Sequence, residues 1–219
     1  MRNIISAMLG FLFYKSPNLS FEKKEIAFFE QLYGEALLNK EPITDTGRYM
    51  KYRFIHYIAS TKPVVVHGSN NKQIEKFEPR RQTLYNGRYT EAVFGTKDGI
   101  WPQFYAVFDR NKLVGDFRNA CLKVDKGKSY YFFSLNAQTH ASNPWTSGAV
   151  YFFPDETFEP ASTSQVHFDE WISKTPVKPL LSIHIEPGDF PFINKISTHK
   201  PDEKIMTTWL LYKIRTAKN

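Results

Sequence analysis

Pro63-Val64-Val65-Val66-His67-Gly68-Ser69 constrains this chain more than any other stretch. Three consecutive β-branched residues are stiff at χ1 and suit a pleated, buried surface, so the run predicts an interior strand. Pro63 opens it, at the strand position where a missing N–H costs little. His67 ends it beside Gly68, where bare backbone lets a ligand approach closely. The competing reading of the tripeptide is a satisfied edge histidine before a turn.

The material for a core around that strand is ample. The 219 residues include nineteen Phe and twelve Tyr, which favours a β-rich, aromatic-packed interior over a helical bundle. Cys121 is the single cysteine, so an intramolecular disulfide and a Cys-rich zinc site are both excluded; its neighbours Ala120 and Leu122 make it a small core residue. A reducing, cytoplasmic location is the default expectation. The net charge of +7 favours acidic partners such as nucleic acid, nucleotide phosphates or an acidic protein surface. The Lys and Arg residues are nevertheless scattered, which reads first as a solubilising surface.

Met1-Arg2-Asn3 followed by Ile4 to Tyr14 has the look of a signal peptide's n- and h-regions, but Lys15-Ser16-Pro17 offers no small-x-small cleavage site. The segment is expected to be retained and packed on the domain. No stretch reaches the roughly 18 apolar residues of a membrane span, so no membrane partner is expected.

Residues 1–60 read as a helical segment packed on the core and 61–219 as a β-rich domain. Ser20 is a candidate N-cap for an amphipathic helix running to about Asn39, and a second helix covers Arg48 to Ile58. Beyond Pro63, Asn70 to Gly87 reads as a loop carrying Arg80-Arg81, and Thr90 to Thr96 as a strand. Asp98 caps a helix bearing Trp101, Pro102, Phe104 and Tyr105. Val114 to Val124 reads as a strand pair or turn. Strands are expected at Tyr130–Phe133, Ala149–Phe153, Glu170–Ile172, Val177–Ile185 and, last, Ile205–Ile214, with loops over 135–147 and 155–163. The fold class is therefore α+β, with N-terminal helices followed by a mainly antiparallel sheet or pair of sheets.

No Walker-type or GxGxxG loop and no HExxH helix is present. The six histidines are dispersed. His167 with Asp169 fits a metal less well than a polar strand face, and no metal is expected. A Ser/His/Asp triad, being spatial, stays open, with no GxSxG elbow to support it.

Three segments occur in a suggestive order: His67-Gly68-Ser69 ending a strand; Ala92-Val93-Phe94-Gly95-Thr96 with the aromatic helix to Tyr105; and Asp169-Glu170-Trp171-Ile172 with Val177-Lys178-Pro179-Leu180-Leu181-Ser182-Ile183. Over roughly Pro63 to Ile185 the chain resembles the ADP-ribosyltransferase superfamily of the diphtheria-toxin and poly(ADP-ribose)-polymerase type. The resemblance implies that family's mainly antiparallel split β-sheet or β-sandwich core, NAD as substrate, and a macromolecular acceptor. It implies that His67 bonds the adenosine-side ribose and that Gly68 offers backbone to the nicotinamide carboxamide. Ser69 and Thr96 would add hydroxyls. Tyr105, or alternatively Phe104, would stack on nicotinamide, and Arg80 would meet phosphate. Glu170 would stabilise an oxocarbenium-like transition state, with His67 beside it. Val93 stands where the family has an aromatic residue, so that member of the set is missing or is supplied from elsewhere, such as by Tyr89. A related type, the RNA 2′-phosphotransferases, binds NAD with basic residues and would give Arg80 and Arg81 that task. The rival expectation is a non-catalytic module binding nucleic acid or protein through a basic, aromatic-rich face.

Overall fold

The computed structural model describes residues 2–83, 89–124, 128–162 and 164–217. Met1, the end of the expected loop at 84–87, and Thr163 lie outside the described residues. In chain order the elements are α1 (Arg2–Leu12), β1 (Tyr14–Lys15), α2 (Lys23–Asn39), α3 (Lys51–Thr61), β2 (Val64–Ser69), β3 (Arg80–Thr83), β4 (Tyr89–Gly95) and α4 (Trp101–Val107). Then follow β5 (Phe117–Val124), β6 (Ser129–Asn136), α5 (Ala137–Ala141), β7 (Gly148–Pro154), β8 (Glu159–Pro160), β9 (Val166–Phe168), β10 (Trp171–Ser173), β11 (Leu181–Ile185), β12 (Ser197–His199) and α6 (Ile205–Thr216).

The strands form three sheets in a mixed α/β architecture. β1-β6-β5-β9 is one sheet, with β12 joining β6 in parallel; β3-β4-β10-β8 and β11-β7-β2 are antiparallel. Val66 and Thr96 exchange backbone hydrogen bonds of 2.8 and 3.0 Å and so stitch β2 to the end of β4.

The valine run is a strand buried on both faces. Val64 and Val66 enter the main core with Phe54, Ile58, Phe104 and Phe152, while Val65 enters a second core with Phe77, Val93, Phe153 and Phe158. Residues 1–60 have no core of their own. Phe29, Phe54, Ile55 and Ile58 pack into the same core as β2 and β7, and Ile43 bridges to Ile183 of β11. The N-terminal apolar segment forms α1, and Leu9 and Phe13 pack with Leu122 and Phe132 under the first sheet.

Several local expectations need correction. Ile205–Ile214 is helical, not a last strand. Its buried residues Thr208, Tyr212 and Thr216 fall at intervals of four, the spacing of one helix face, and this outweighs the strand preference of Thr, Trp and Ile. Arg80–Thr83 forms an edge strand within the expected loop, its ladder supplied by β4. β5 is a single strand starting at Phe117, and the expected loop from 135 contains the end of β6 and the short α5. Helix α2 starts at Lys23, with Glu22 at the cap position, so Ser20 does not cap it.

Candidate functional site

The end of β4 is the centre of the site. His67 Nδ1 lies 2.7 Å from the Phe94 carbonyl, which accepts from it and fixes Nδ1 as the protonated nitrogen. Gly95 faces Trp171 across the β4–β10 ladder, so Glu170 arrives beside the strand end that holds His67. Asp169, next in chain, locks that arrival. Its Oδ2 accepts from Thr96 Oγ1 at 2.9 Å and pairs with Lys123 Nζ at 2.7 Å, and its Oδ1 accepts from Trp171 Nε1 at 3.1 Å. The Glu170 carbonyl accepts from Ala161 N.

Helix α4 closes the cleft. Ile100, not the expected Asp98, holds the N-cap position; Asp98 secures the turn ahead of it, its Oδ1 accepting from the Ile100 and Trp101 amides at 2.9 and 2.8 Å and its Oδ2 from Ser129 and Tyr131. The helix passes so near β2 that a Cβ on Gly68 would lie 1.7 Å from the Pro102 carbonyl oxygen. Glycine is required there by helix packing, independently of any ligand. Tyr105 Oη and Trp101 Nε1 both donate to Asn119 Oδ1, at 2.8 and 2.6 Å, which pins two rings of α4 to β5. Asn70 Nδ2 donates to the Ala106 carbonyl at 2.8 Å and ties the end of α4 to the turn after Ser69.

His67, Gly68, Ser69, Arg80, Thr96, Tyr105 and Glu170 all line one cleft of about 770 Å³. Each role named from sequence meets a definite environment there. Thr96 is buried, with its hydroxyl engaged by Asp169 and by the Asp98 amide, so it supports the cleft wall. Phe104 is fully buried, whereas Tyr105 reaches the cleft. Arg80 lines the cleft; Arg81, one residue on and on the other strand face, lies 4.6 Å over the Tyr89 ring. Tyr89 is 68% exposed at the far end of β4 and is not among the lining residues. Val93 lines the cleft, whose wall also carries Phe77, 5.0 Å edge-on to the His67 ring.

Arg110, Asn119 and Phe117 escaped the sequence reading. Arg110 follows α4 in a turn capped by Asp109, and its guanidinium sits 5.4 Å over Tyr105 and 5.6 Å over Phe117. The Asp109-Arg110-Asn111 turn was the available signal; its approach to Tyr105 is a tertiary matter.

Burial lowers the His67 pKa to about 4, with Arg110 and Arg80 pushing the same way against the Phe94 hydrogen bond. The imidazole is thus neutral at ordinary pH, with Nε2 an acceptor. Burial also raises the Tyr105 phenol to about 12, and the negative charge of Glu170 adds to this. Among the described residues, neither Arg80 nor Arg110 has a carboxylate partner.

Other constellations are structural. Ser134, His199 and Asp116 do come together, with Ser134 Oγ 2.8 Å from Nδ1 and Asp116 Oδ1 3.0 Å from Nε2. Ser134 is fully buried, so no substrate reaches its hydroxyl. His167 Nδ1 is engaged by the Ser164 carbonyl, while Asp169 faces Thr96 and Lys123. Asp98, Cys121 and Asp169 also lie close together, but Asp98 already accepts four hydrogen bonds and Asp169 already holds Lys123.

No family model, no curated protein and no solved structure matches this chain.

Proposed function

We propose that the chain binds NAD in this cleft and transfers its ADP-ribosyl group to a macromolecular acceptor. One observation carries the reading: residues from three separated segments, His67-Gly68-Ser69, Tyr105 and Glu170, line a single cleft together with Arg80 and Arg110. The chemistry of the lining suits a dinucleotide. The guanidiniums of Arg80 and Arg110, both in the cleft lining, match a diphosphate. The neutral His67 accepts a ribose hydroxyl at Nε2, because its Nδ1–H is already given to Phe94. Tyr105, in the cleft wall, offers an electron-rich ring to a cationic pyridinium.

In the reaction the bond from ribose C1′ to the nicotinamide nitrogen breaks, and its electron pair leaves with nicotinamide. The Glu170 carboxylate stabilises the positive charge that develops on the ribose. The acceptor's nucleophile then forms the new bond to C1′, and its proton passes to solvent. A preorganised charge aimed at where opposite charge develops acts most strongly in a site that excludes water.

The test is calorimetric titration of NAD into the wild type and His67→Ala, followed by nicotinamide release by Glu170→Gln. Binding lost in His67→Ala, with Glu170→Gln binding NAD but releasing nicotinamide about 10²-fold more slowly or worse, is the expected pair of results. Absence of binding at millimolar NAD would sink the proposal and favour the basic interaction module.

A further inference from the structure

Helices α1 and α6 lie on the same face of the first sheet. Leu9 and Phe13, at and just beyond α1, share a small core with Tyr212 of α6, Ala120, Leu122 and Phe132. The Phe13 ring meets Trp209 edge-on at 5.8 Å, and Lys213 Nζ donates to the Gly10 carbonyl. With those faces occupied, each helix turns an apolar stripe outward. On α1 it is Ile4, Met8 and Phe11, exposed by 74, 56 and 75%; on α6 it is Met206, Leu210 and Ile214, exposed by 59, 58 and 56%. Spacings of three and four put each triplet on one helix face. Six large apolar side chains on neighbouring helices exceed the scattered exposure ordinary for a surface.

The helices themselves carry charge of one sign, and Glu203, just ahead of α6, is held by Arg215. Neither helix contains an Asp or Glu. At their seam Lys195 and Lys213 lie 5.2 and 5.3 Å from the Tyr14 ring centre, and Lys15 lies against Gly10 where Lys213 is bonded. Burial and then the charge of Lys15 both lower the Lys213 pKa, which marks the two ammonium groups as neighbours. Among the described residues none of these three lysines has a carboxylate partner.

We propose that this face docks on an anionic lipid surface, with α1 and α6 lying in the interfacial plane. The apolar stripes enter the boundary between headgroups and acyl chains, and Lys15, Lys195 and Lys213 meet lipid phosphates. An eleven-residue α1 is too short to span a bilayer, so the expectation of no membrane partner, which rested on spanning, does not bear on a helix that lies flat. Charge complementarity selects lipid over a second copy, because a contact between copies would set two cationic seams together, with no acidic residue within either helix and with Glu203 beside α6 already held by Arg215.

The test is flotation of the full chain with vesicles of phosphatidylcholine alone and of phosphatidylcholine with phosphatidylserine. The expected result is at least roughly tenfold stronger partitioning onto the anionic vesicles, weakened by added salt. Phe11→Asp with Leu210→Asp abolishes binding, and Lys15→Glu with Lys195→Glu weakens it about tenfold or more, while circular dichroism shows both variants folded. All four positions are on the surface or its margin. Equal partitioning onto both vesicles, no partitioning, or binding unchanged in the folded variants overturns the proposal. So does sedimentation showing a dimer that the Phe11→Asp and Leu210→Asp changes dissociate, in a protein that leaves vesicles unbound.

Discussion

His67 combines two constraints in one ring. Its Nδ1–H is held by the Phe94 carbonyl, and burial keeps the ring neutral down to about pH 4. Any partner of Nε2 must therefore bring a proton of its own, as a ribose hydroxyl does. NAD affinity measured by calorimetry is expected to stay flat with respect to His67 from neutral pH to about pH 5, and to fall as the ring protonates near pH 4. An affinity that instead tracked a group titrating at the ordinary 6.5 would show that the ring is not held in this way. At this scale the sequence revealed much. His67, Gly68 and Glu170 stood out through residue type and order, whereas Arg110 and Asn119 act through tertiary approach to Tyr105, which no local pattern encodes.

The contact between β2 and α4 gives Gly68 a sharper role than ligand access alone. Gly68→Ala sets a methyl 1.7 Å from the Pro102 oxygen and 3.0 Å from the Ala106 nitrogen, both backbone atoms that cannot rotate away. Denaturant titration is expected to show a loss of about 2–4 kcal/mol or failure to fold. The junction between β5 and β10 makes a second prediction. Lys123→Met leaves the buried Asp169 carboxylate without its cation and is expected to cost about 3 kcal/mol, with nicotinamide release falling as Glu170 loses its neighbouring anchor. A variant as stable as the wild type would show that the Thr96 and Trp171 hydrogen bonds alone hold the loop. Elements with a clear period or punctuation were legible in sequence: β2 by its valines and Pro63, α4 by Asp98 and Pro102, β6 by its aromatic run. α6 was misread because Thr, Trp and Ile favour strands, and its buried stripe of Thr208, Tyr212 and Thr216 is too polar to advertise helical burial. β3 was missed because Arg80-Arg81-Gln82-Thr83 carries no apolar alternation and depends on β4 for pairing.

Across the molecule, burial lowers the pKa values of four histidines, His56, His67, His184 and His199. The unfolded chain binds protons at these sites near 6.5 and the folded chain only below that, so stability is complete above the unfolded value and is lost as pH falls through the window beneath it. For His67 that window runs from 6.5 to about 4. Glu203, held by Arg215 with a pKa near 2, adds a further loss between 4.5 and about 2. Urea unfolding should therefore show stability declining from about pH 6.5 downward, with a shallower slope in His67→Gln. An identical slope in that variant would assign the decline to the other histidines. The mixed α/β class was readable from aromatic content and strand spacing, but the way residues 1–60 share the central core was not, because it depends on which surfaces α2 and α3 meet.

The near contact of α4 with Gly68 recurs at Gly148, where a Cβ would lie 2.0 Å from the Ala106 carbonyl oxygen. Two strands thus hold one short helix by its backbone, with no side-chain layer between to relax. Amides of β2, β7 and α4 should exchange with solvent only through global opening, at a common slow rate, with or without a ligand. A ligand entering beside them then meets a wall already ordered, so its binding is charged little conformational entropy and little heat-capacity change from folding.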